Sequence, residues 1–156
     1  MGRAAFDNLP LAPGTRLPRY TIARKLSSGG FGVVYLGRRD DGQTVAIKEF
    51  LPSVLDCRTQ KNAREIMVPP NDLRRFRDGL EAFFREADTL AKLHDPRVIP
   101  VWDVFEANGT AYFAMPLEKG CTLQAAIRHR PVPFSDADLR ALFLEAAQGV
   151  QALHEH

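Results

Sequence analysis

Residues 26–48 read Leu-Ser-Ser-Gly-Gly-Phe-Gly-Val-Val-Tyr-Leu-Gly-Arg-Arg-Asp-Asp-Gly-Gln-Thr-Val-Ala-Ile-Lys. Three glycines near its start, Gly29, Gly30 and Gly32, let the backbone come close to another group because they carry no Cβ. The β-branched run that follows predicts a strand, and Asp-Gly at 41–42 predicts a tight turn into the next one. That next strand carries a single cation, Lys48, after three apolar residues. The stretch therefore predicts a glycine-rich hairpin followed by a strand that ends near a lysine.

Strands and helices are also predicted on both sides of this hairpin. A helix is predicted from Asn71 or Asp72, either of which can cap it, as far as the stop at residues 94–96. Ser135 and Asp138 have the spacing of a capping box and predict a second helix near the end of the chain. The predicted strands are residues 20–27, 33–39, 44–50, 99–105 and 110–115, and residues 65–68 are compatible with a short extra strand.

Composition bounds the class of protein. The chain has 156 residues, of which 45% are hydrophobic and 26% charged, values typical of one soluble globular domain. Its net charge of +2 is too small to indicate a nucleic-acid partner or an acidic membrane surface. No stretch approaches the length of a membrane span, so we expect no membrane segment here and a cytoplasmic location.

Metal and disulfide sites are not indicated. Cys57 and Cys121 lie far apart without a neighbouring cysteine, which favours a reducing compartment. His154 and His156 are close in sequence, but the sequence offers no third ligand near them. We therefore expect no metal site formed by these residues alone.

Glu86 has an unusual place on the predicted helix. On a helical wheel it lies about 60° from Phe83, inside the apolar stripe, whereas most other charged residues lie on the far side. A carboxylate directed toward a core is costly unless it is paired, and Lys48 is the obvious partner. The alternative is that Glu86 lies at the margin of the stripe and reaches water.

The glycine-rich stretch has the chemistry of a nucleotide site. Its glycines can accommodate phosphate oxygens, Val34 and Ala46 offer small apolar faces for a purine, and Lys48 supplies a positive charge for the phosphates. Dinucleotide-binding folds use a similar glycine string, but there the string leads into a helix. Here it leads into a β-branched strand, which excludes that fold.

These residues resemble the protein-kinase family, in particular bacterial Ser/Thr kinases. Residues 27–34 are similar to the Gly-rich loop, Val-Ala-Ile-Lys at 45–48 matches the third strand, and Phe-Arg-Glu-Ala at 84–87 matches the helix glutamate. The resemblance implies an α+β small lobe, with a five-stranded, mostly antiparallel sheet and one long helix. A hinge and the helices of an incomplete large lobe follow it. The implied division is an irregular arm at 1–18, the small lobe at 19–117, and the hinge with the start of the large lobe at 118–156.

The resemblance also implies residue roles. Lys48 and Glu86 form the catalytic ion pair, Met115 is the gatekeeper, and the backbone of Pro116 and Glu118 reads the adenine edge. The residues implied for ATP binding are Leu26, Ser27, Ser28, Gly29, Gly30, Phe31, Gly32, Val33, Val34, Ala46, Lys48, Met115, Pro116 and Glu118.

The resemblance stops before the catalytic loop. No His-Arg-Asp with its Asn, and no Asp-Phe-Gly, occurs in the 156 residues, so the ligands for Mg²⁺ are expected elsewhere. Two functions stay open. One is the N-terminal part of an ATP-dependent Ser/Thr kinase that acts on a protein substrate, this part itself being inactive. The other is a non-catalytic kinase-like module that binds a nucleotide or a protein.

The last helix carries an apolar face that a large lobe would normally cover. Its members are Leu139, Leu142, Phe143, Ala146, Val150 and Leu153. Because a large exposed apolar patch promotes association, we expect that the chain either self-associates through this helix or is only marginally stable.

Overall fold

The computed structural model describes residues 8–55, 57–58 and 63–155. Its elements in chain order are β1 (Arg16–Leu17), β2 (Tyr20–Gly29), β3 (Gly32–Arg39), β4 (Thr44–Phe50), α1 (Leu73–Lys92), β5 (Asp103–Ala107), β6 (Thr110–Pro116), α2 (Leu123–His129) and α3 (Asp136–His154). A 3-10 turn, Pro70–Asp72, leads into α1. The α+β class with one long helix on an antiparallel sheet is confirmed.

One sheet of six strands, in the order β1-β2-β3-β4-β6-β5, forms the centre of the fold, and every neighbouring pair is antiparallel. The five predicted strands are present, although β5 begins at Asp103, four residues later than expected. The sixth strand, β1, lies in the arm that the sequence predicted to be irregular. Residues 66–68 are not a strand; the Ile66 and Met67 amides instead donate to the carbonyls of Asn108 and Cys57.

The inner face of the sheet packs on α1. Phe50 on β4 contacts the rings of Phe76 and Phe83 at centroid distances of 5.2 and 5.7 Å, and Phe83 stacks on Phe113 of β6 at 4.9 Å. Phe76, Phe83 and Ala87 are the buried residues of α1, and they share the apolar stripe read from the sequence. This packing fixes α1 against the end of β4 and against β6.

The outer face of the sheet is covered by irregular chain. Tyr20, Phe105 and Tyr112 stack in a row on this face, with centroids 5.3 and 5.4 Å apart. Leu11 from the arm and Leu55 from the segment after β4 are buried in the same core. The arm is therefore a structural layer of the fold.

A buried polar network lies within this outer layer. Arg58 and Glu49 are both 0% exposed, and the Arg58 Nη2 atom lies 2.5 Å from Glu49 Oε1. The hydroxyls of Tyr35 and Tyr112 each donate to the Glu49 carboxylate at 2.6 Å, so that both of its oxygens are bonded twice. Burial, together with the nearby Glu49 charge, raises the pKa of both tyrosines, which stay protonated donors. The sequence analysis did not anticipate this network.

The helices after β6 are weakly covered. Ser135 and Asp138 form the predicted capping box of α3, and the Thr122 side chain caps α2. Within α3 only Gly149 is buried, whereas Phe143, Leu144 and Val150 are exposed. No helix in the described part of the chain is long and apolar enough to cross a membrane.

Candidate functional site

Strand register aligns the predicted apolar residues with Lys48 on the inner face. Lys48 lies opposite Val34 of β3 and Phe113 of β6, and Ala46 lies opposite Met115. Residues directly opposite in antiparallel strands share a face, so these side chains form one continuous surface. The alternation along β4 places Glu49 on the other face, in the buried network.

Lys48 and Glu86 form an ion pair. The Nζ of Lys48 donates to Glu86 Oε1 at 2.6 Å, which joins the sheet to α1. The rings of Phe83 and Phe113 flank the same ammonium, with centroids at 5.7 and 5.1 Å. The side chain of Lys48 is 24% exposed and that of Glu86 45%, so Glu86 is paired and reaches water as well. A pair this exposed adds about 1 kcal/mol or less to stability. Its main effect is therefore to orient the Lys48 side chain.

The glycine-rich hairpin turns at Gly30 and Phe31, because Gly29 and Gly32 are the last register pair. A Cβ on Gly29 or Gly30 would meet no atom within 4 Å, so their surroundings are open, as close approach of a ligand requires. Gly32 is different, because a Cβ there would lie 2.0 Å from the carbonyl oxygen of Glu49. Gly32 is thus required for packing against β4. The Phe31 ring is 78% exposed at the tip.

A cleft of about 360 Å³ opens beside the ion pair. The sheet and α1 contribute Lys48, Glu86, Leu90, Phe113 and Met115, and the other side is formed by Arg97, Val98, Ile99, Ala146, Gly149, Val150 and Leu153. Lys48, Glu86 and Met115, which were singled out from the sequence, therefore lie around one cavity.

Some predicted ATP-binding side chains lie outside this cleft. Ser28 and Val33 are opposite each other, and Val33 is also opposite Glu49, which places their side chains on the outer face. Leu26 lies in a β-bulge at the edge of the inner face, between the Lys25 and Ser27 pairs, and is 37% exposed. Only the backbone of Ser28 and Val33 is available to a ligand on the inner side.

The hinge residues are also separate from the ion pair. Pro116 ends β6 opposite Val45, so its carbonyl lies at the end of the sheet. Glu118 lines a different cleft, formed with residues 93–100. Ser27, another residue implied for ATP binding, lies in β2 opposite Val34. The adenine-reading roles of Pro116 and Glu118 stay predictions.

Arg97 is a residue that the sequence analysis missed. Its guanidinium bonds to Asp95 and, at 2.5 Å, to Gln148 Oε1 of α3, so it ties the loop after α1 to that helix. Hydrogen bonds from the Arg97 side chain and backbone lower the pKa of Asp95 to about 2. A Cβ on Gly149 would contact Arg97 at 3.4 Å, which explains the close approach of α3 at this point. Among the described residues, no group of three or more His, Cys, Asp or Glu could hold a metal ion.

Comparison with known proteins agrees with this geometry. The protein kinase domain model matches residues 20–156. The chain is 26% identical over 148 residues to the serine/threonine-protein kinase PknF of Mycobacterium tuberculosis, covering 94% of this chain and 27% of that protein. It is 30% identical over 138 residues to the serine/threonine-protein kinase pkn2 of Myxococcus xanthus, covering 88% of this chain and 14% of that protein.

Solved structures show the same fold. The apo form of PpkA-294 superposes with a TM-score of 0.76 at 30% identity, covering 85% of this chain and 47% of that one. The PknI kinase domain of M. tuberculosis has a TM-score of 0.65 at 24% identity and covers 94% of this chain and 51% of that one. The chain thus spans about half of these kinase structures and less of the two curated relatives. It belongs to the protein kinase family and corresponds to the N-terminal part of the kinase domain.

Proposed function

We propose that this chain is the ATP-binding part of a Ser/Thr protein kinase. The complete enzyme would transfer the γ-phosphoryl group of ATP to hydroxyls of a protein substrate. The observation that carries the proposal is the 2.6 Å contact between Lys48 and Glu86. Kinases need this strand-to-helix pair in place for phosphoryl transfer.

The residues present suit the nucleotide. Val34, Ala46 and Met115 offer an apolar surface for adenine on the inner face, and Lys48 lies further along the same strand as Ala46. The open surroundings of Gly29 and Gly30 leave room for phosphate oxygens next to the backbone. Bound Mg²⁺ neutralises charge on the phosphates, and kinases hold it with the Asp of Asp-Phe-Gly and the catalytic-loop Asn. Neither motif occurs in the sequence, so we assign no Mg²⁺ ligand to these residues.

The second candidate is a non-catalytic kinase-like module. It would keep the same nucleotide contacts but transfer no phosphate. Phosphorylation of a substrate by a complete protein that includes this chain would distinguish the kinase from the non-catalytic module. The intact Lys48–Glu86 pair favours the catalytic alternative. A bacterial source and a cytoplasmic location are both proposals that come from the sequence alone.

Substitution of Lys48 by methionine tests nucleotide binding directly. A charge-assisted contact to phosphate is worth about 1.5–3 kcal/mol, so the affinity for ATP should fall about tenfold or more. The measurement is a titration of the 156-residue chain with ATP, followed by NMR shifts of the inner-face amides.

Lys92→Met is the matched control for this test. Lys92 also forms a 2.6 Å ion pair, with Asp88, but it lies on the exposed side of α1 and should leave ATP binding unchanged. Equal ATP affinity in Lys48→Met and the unaltered chain would contradict the proposed function.

We further propose that the apolar face of α3 mediates self-association. Phe143 and Val150 of this face are 60% and 51% exposed, an arrangement that favours burial against a second copy of the chain. Sedimentation should show concentration-dependent oligomers, and Phe143→Ser should shift them toward monomer. Phe31→Ser, which alters an exposed aromatic in the hairpin, is the control. A chain that is monomeric at all concentrations would contradict this.

A further inference from the structure

The side chain of Asn8 binds the start of the described chain to the segment that follows β4. Its Oδ1 accepts the backbone amides of Cys57 and Arg58 at 2.8 and 2.9 Å. Its Nδ2 donates to the carbonyls of Pro52 and Leu55 at 2.9 and 2.7 Å. A single amide group therefore satisfies four backbone groups of the segment that follows β4.

The same segment supports the tip of the glycine-rich hairpin. The amide of Leu51 donates to the Phe31 carbonyl at 3.3 Å, and the amide of Ser53 donates to the Gly30 carbonyl at 3.0 Å. The Ser53 hydroxyl donates to that Gly30 carbonyl as well, at 3.3 Å. The tip is thus attached to residues 51–53 through its backbone, while its glycines stay open on the other side.

The far end of the segment is held by the buried charge pair. Arg58 bonds Glu49, the residue after Lys48, and its Nη1 atom also donates to the Leu9 carbonyl at 3.3 Å. The Leu9 amide returns a bond to the Arg58 carbonyl at 3.2 Å. The arm, residues 51–55 and 57–58, and β4 are consequently joined by hydrogen bonds into one unit.

We propose that Asn8 is a positioning residue for the ATP site. It acts through residues 51–55 and 57–58 to hold the glycine-rich tip in the position where its backbone can bind the phosphates. The inference rests on the proposed ATP-binding function. It predicts that loss of Asn8 loosens the tip locally, because Ser53, whose amide and hydroxyl both hold the Gly30 carbonyl, is exposed, whereas β4 and β6 are largely buried.

The test is Asn8→Ala in the 156-residue chain, with amide exchange and an ATP titration on the same sample. We expect exchange of the Leu51 and Ser53 amides to accelerate about tenfold and ATP affinity to fall about threefold, with amides of β4 and β6 unchanged. Thr15→Val is the matched control. It removes one side-chain bond, from Thr15 to Ala12, within the same arm, and it should change neither quantity.

Three outcomes decide the proposal. Unchanged exchange at Leu51 and Ser53 overturns it. Faster exchange with unchanged ATP affinity also overturns it, and if Lys48→Met still weakens binding, the proposed function stands. If Asn8→Ala lowers the melting temperature, Asn8→Asp takes its place, because the carboxylate keeps an acceptor for Cys57 and Arg58 and changes only the other contact, where its second oxygen would repel the Pro52 and Leu55 carbonyls. Unchanged ATP affinity in Asn8→Asp overturns the proposal.

Discussion

Substitution of Arg58 by methionine should lower the free energy of unfolding by about 3–5 kcal/mol. Methionine fills much of the arginine volume but leaves the Glu49 carboxylate 0% exposed and without its cation. The two tyrosine hydroxyls that remain cannot replace a guanidinium that bonds both carboxylate oxygens. Burial alone would lower the pKa of Arg58, but the bonds and charge of Glu49 more than offset it and raise the pKa, so Arg58 stays charged in the folded state.

Urea unfolding of three variants tests whether the loss of stability comes from leaving the buried Glu49 charge unpaired. The double variant Glu49→Leu, Arg58→Met removes both charges and should recover only part of the loss, since an apolar pair is tolerated in a core but the buried Tyr35 and Tyr112 hydroxyls lose their acceptor. Arg64→Met is the matched control. Its side chain also bonds Asn108 and a backbone carbonyl but is exposed, so we expect a change within about 0.5 kcal/mol. A similarly small effect of Arg58→Met would show that the buried pair is unimportant for stability.

Gly32→Ala is expected to be the most disruptive change in the glycine-rich hairpin. The new Cβ would lie 2.0 Å from the Glu49 carbonyl oxygen and 3.4 Å from the Leu51 nitrogen. Both are backbone atoms, which cannot rotate away as a side chain can. The strands β3 and β4 therefore have to separate where Gly32 is opposite Phe50. Overpacking of this kind costs about 1–3 kcal/mol and more where backbone must move.

ATP affinity should fall together with stability in Gly32→Ala, because Lys48 and the hairpin tip are both next to the displaced strand. Gly30→Ala is the matched control for stability: its Cβ would meet nothing within 4 Å, and Gly30 has no positive φ. Thermal melts of the two variants give the comparison, and an ATP titration of Gly32→Ala against the unaltered chain measures the loss of affinity. Equal stability of Gly32→Ala and Gly30→Ala would contradict the role of Gly32 in packing.

Local patterns were sufficient for most of the elements. Alternation and turn residues predicted β4 to the residue, and the Ser135–Asp138 spacing predicted the start of α3. These predictions succeed because strands, turns and caps depend on side chains within a few positions of one another. The strand at 99–105 was overextended, because apolar residues near Ile99 line a cleft against α3 instead of pairing.

The buried network illustrates what local patterns miss. Glu49 alternates with Val45 and Ile47 on one face of β4, and that spacing was the available signal for a buried carboxylate. Its partner Arg58 is nine residues away in irregular chain, where no periodicity applies. The same reason explains why the arm was predicted to be irregular, although Leu11 is in the core.

The amino-acid sequence by itself determined the glycine-rich hairpin, the lysine strand, and the helix stripe that includes Glu86. All of them follow from short-range spacing, and they were enough to identify the family. Only the tertiary structure decided on which face of the sheet each side chain lies. It placed Val33 away from the cleft, gave Gly32 a packing role, and joined Asn8 and Arg58 to the hairpin. Such contacts depend on strand register and on the packing of segments that are distant in sequence. Local residue patterns carry no information about either.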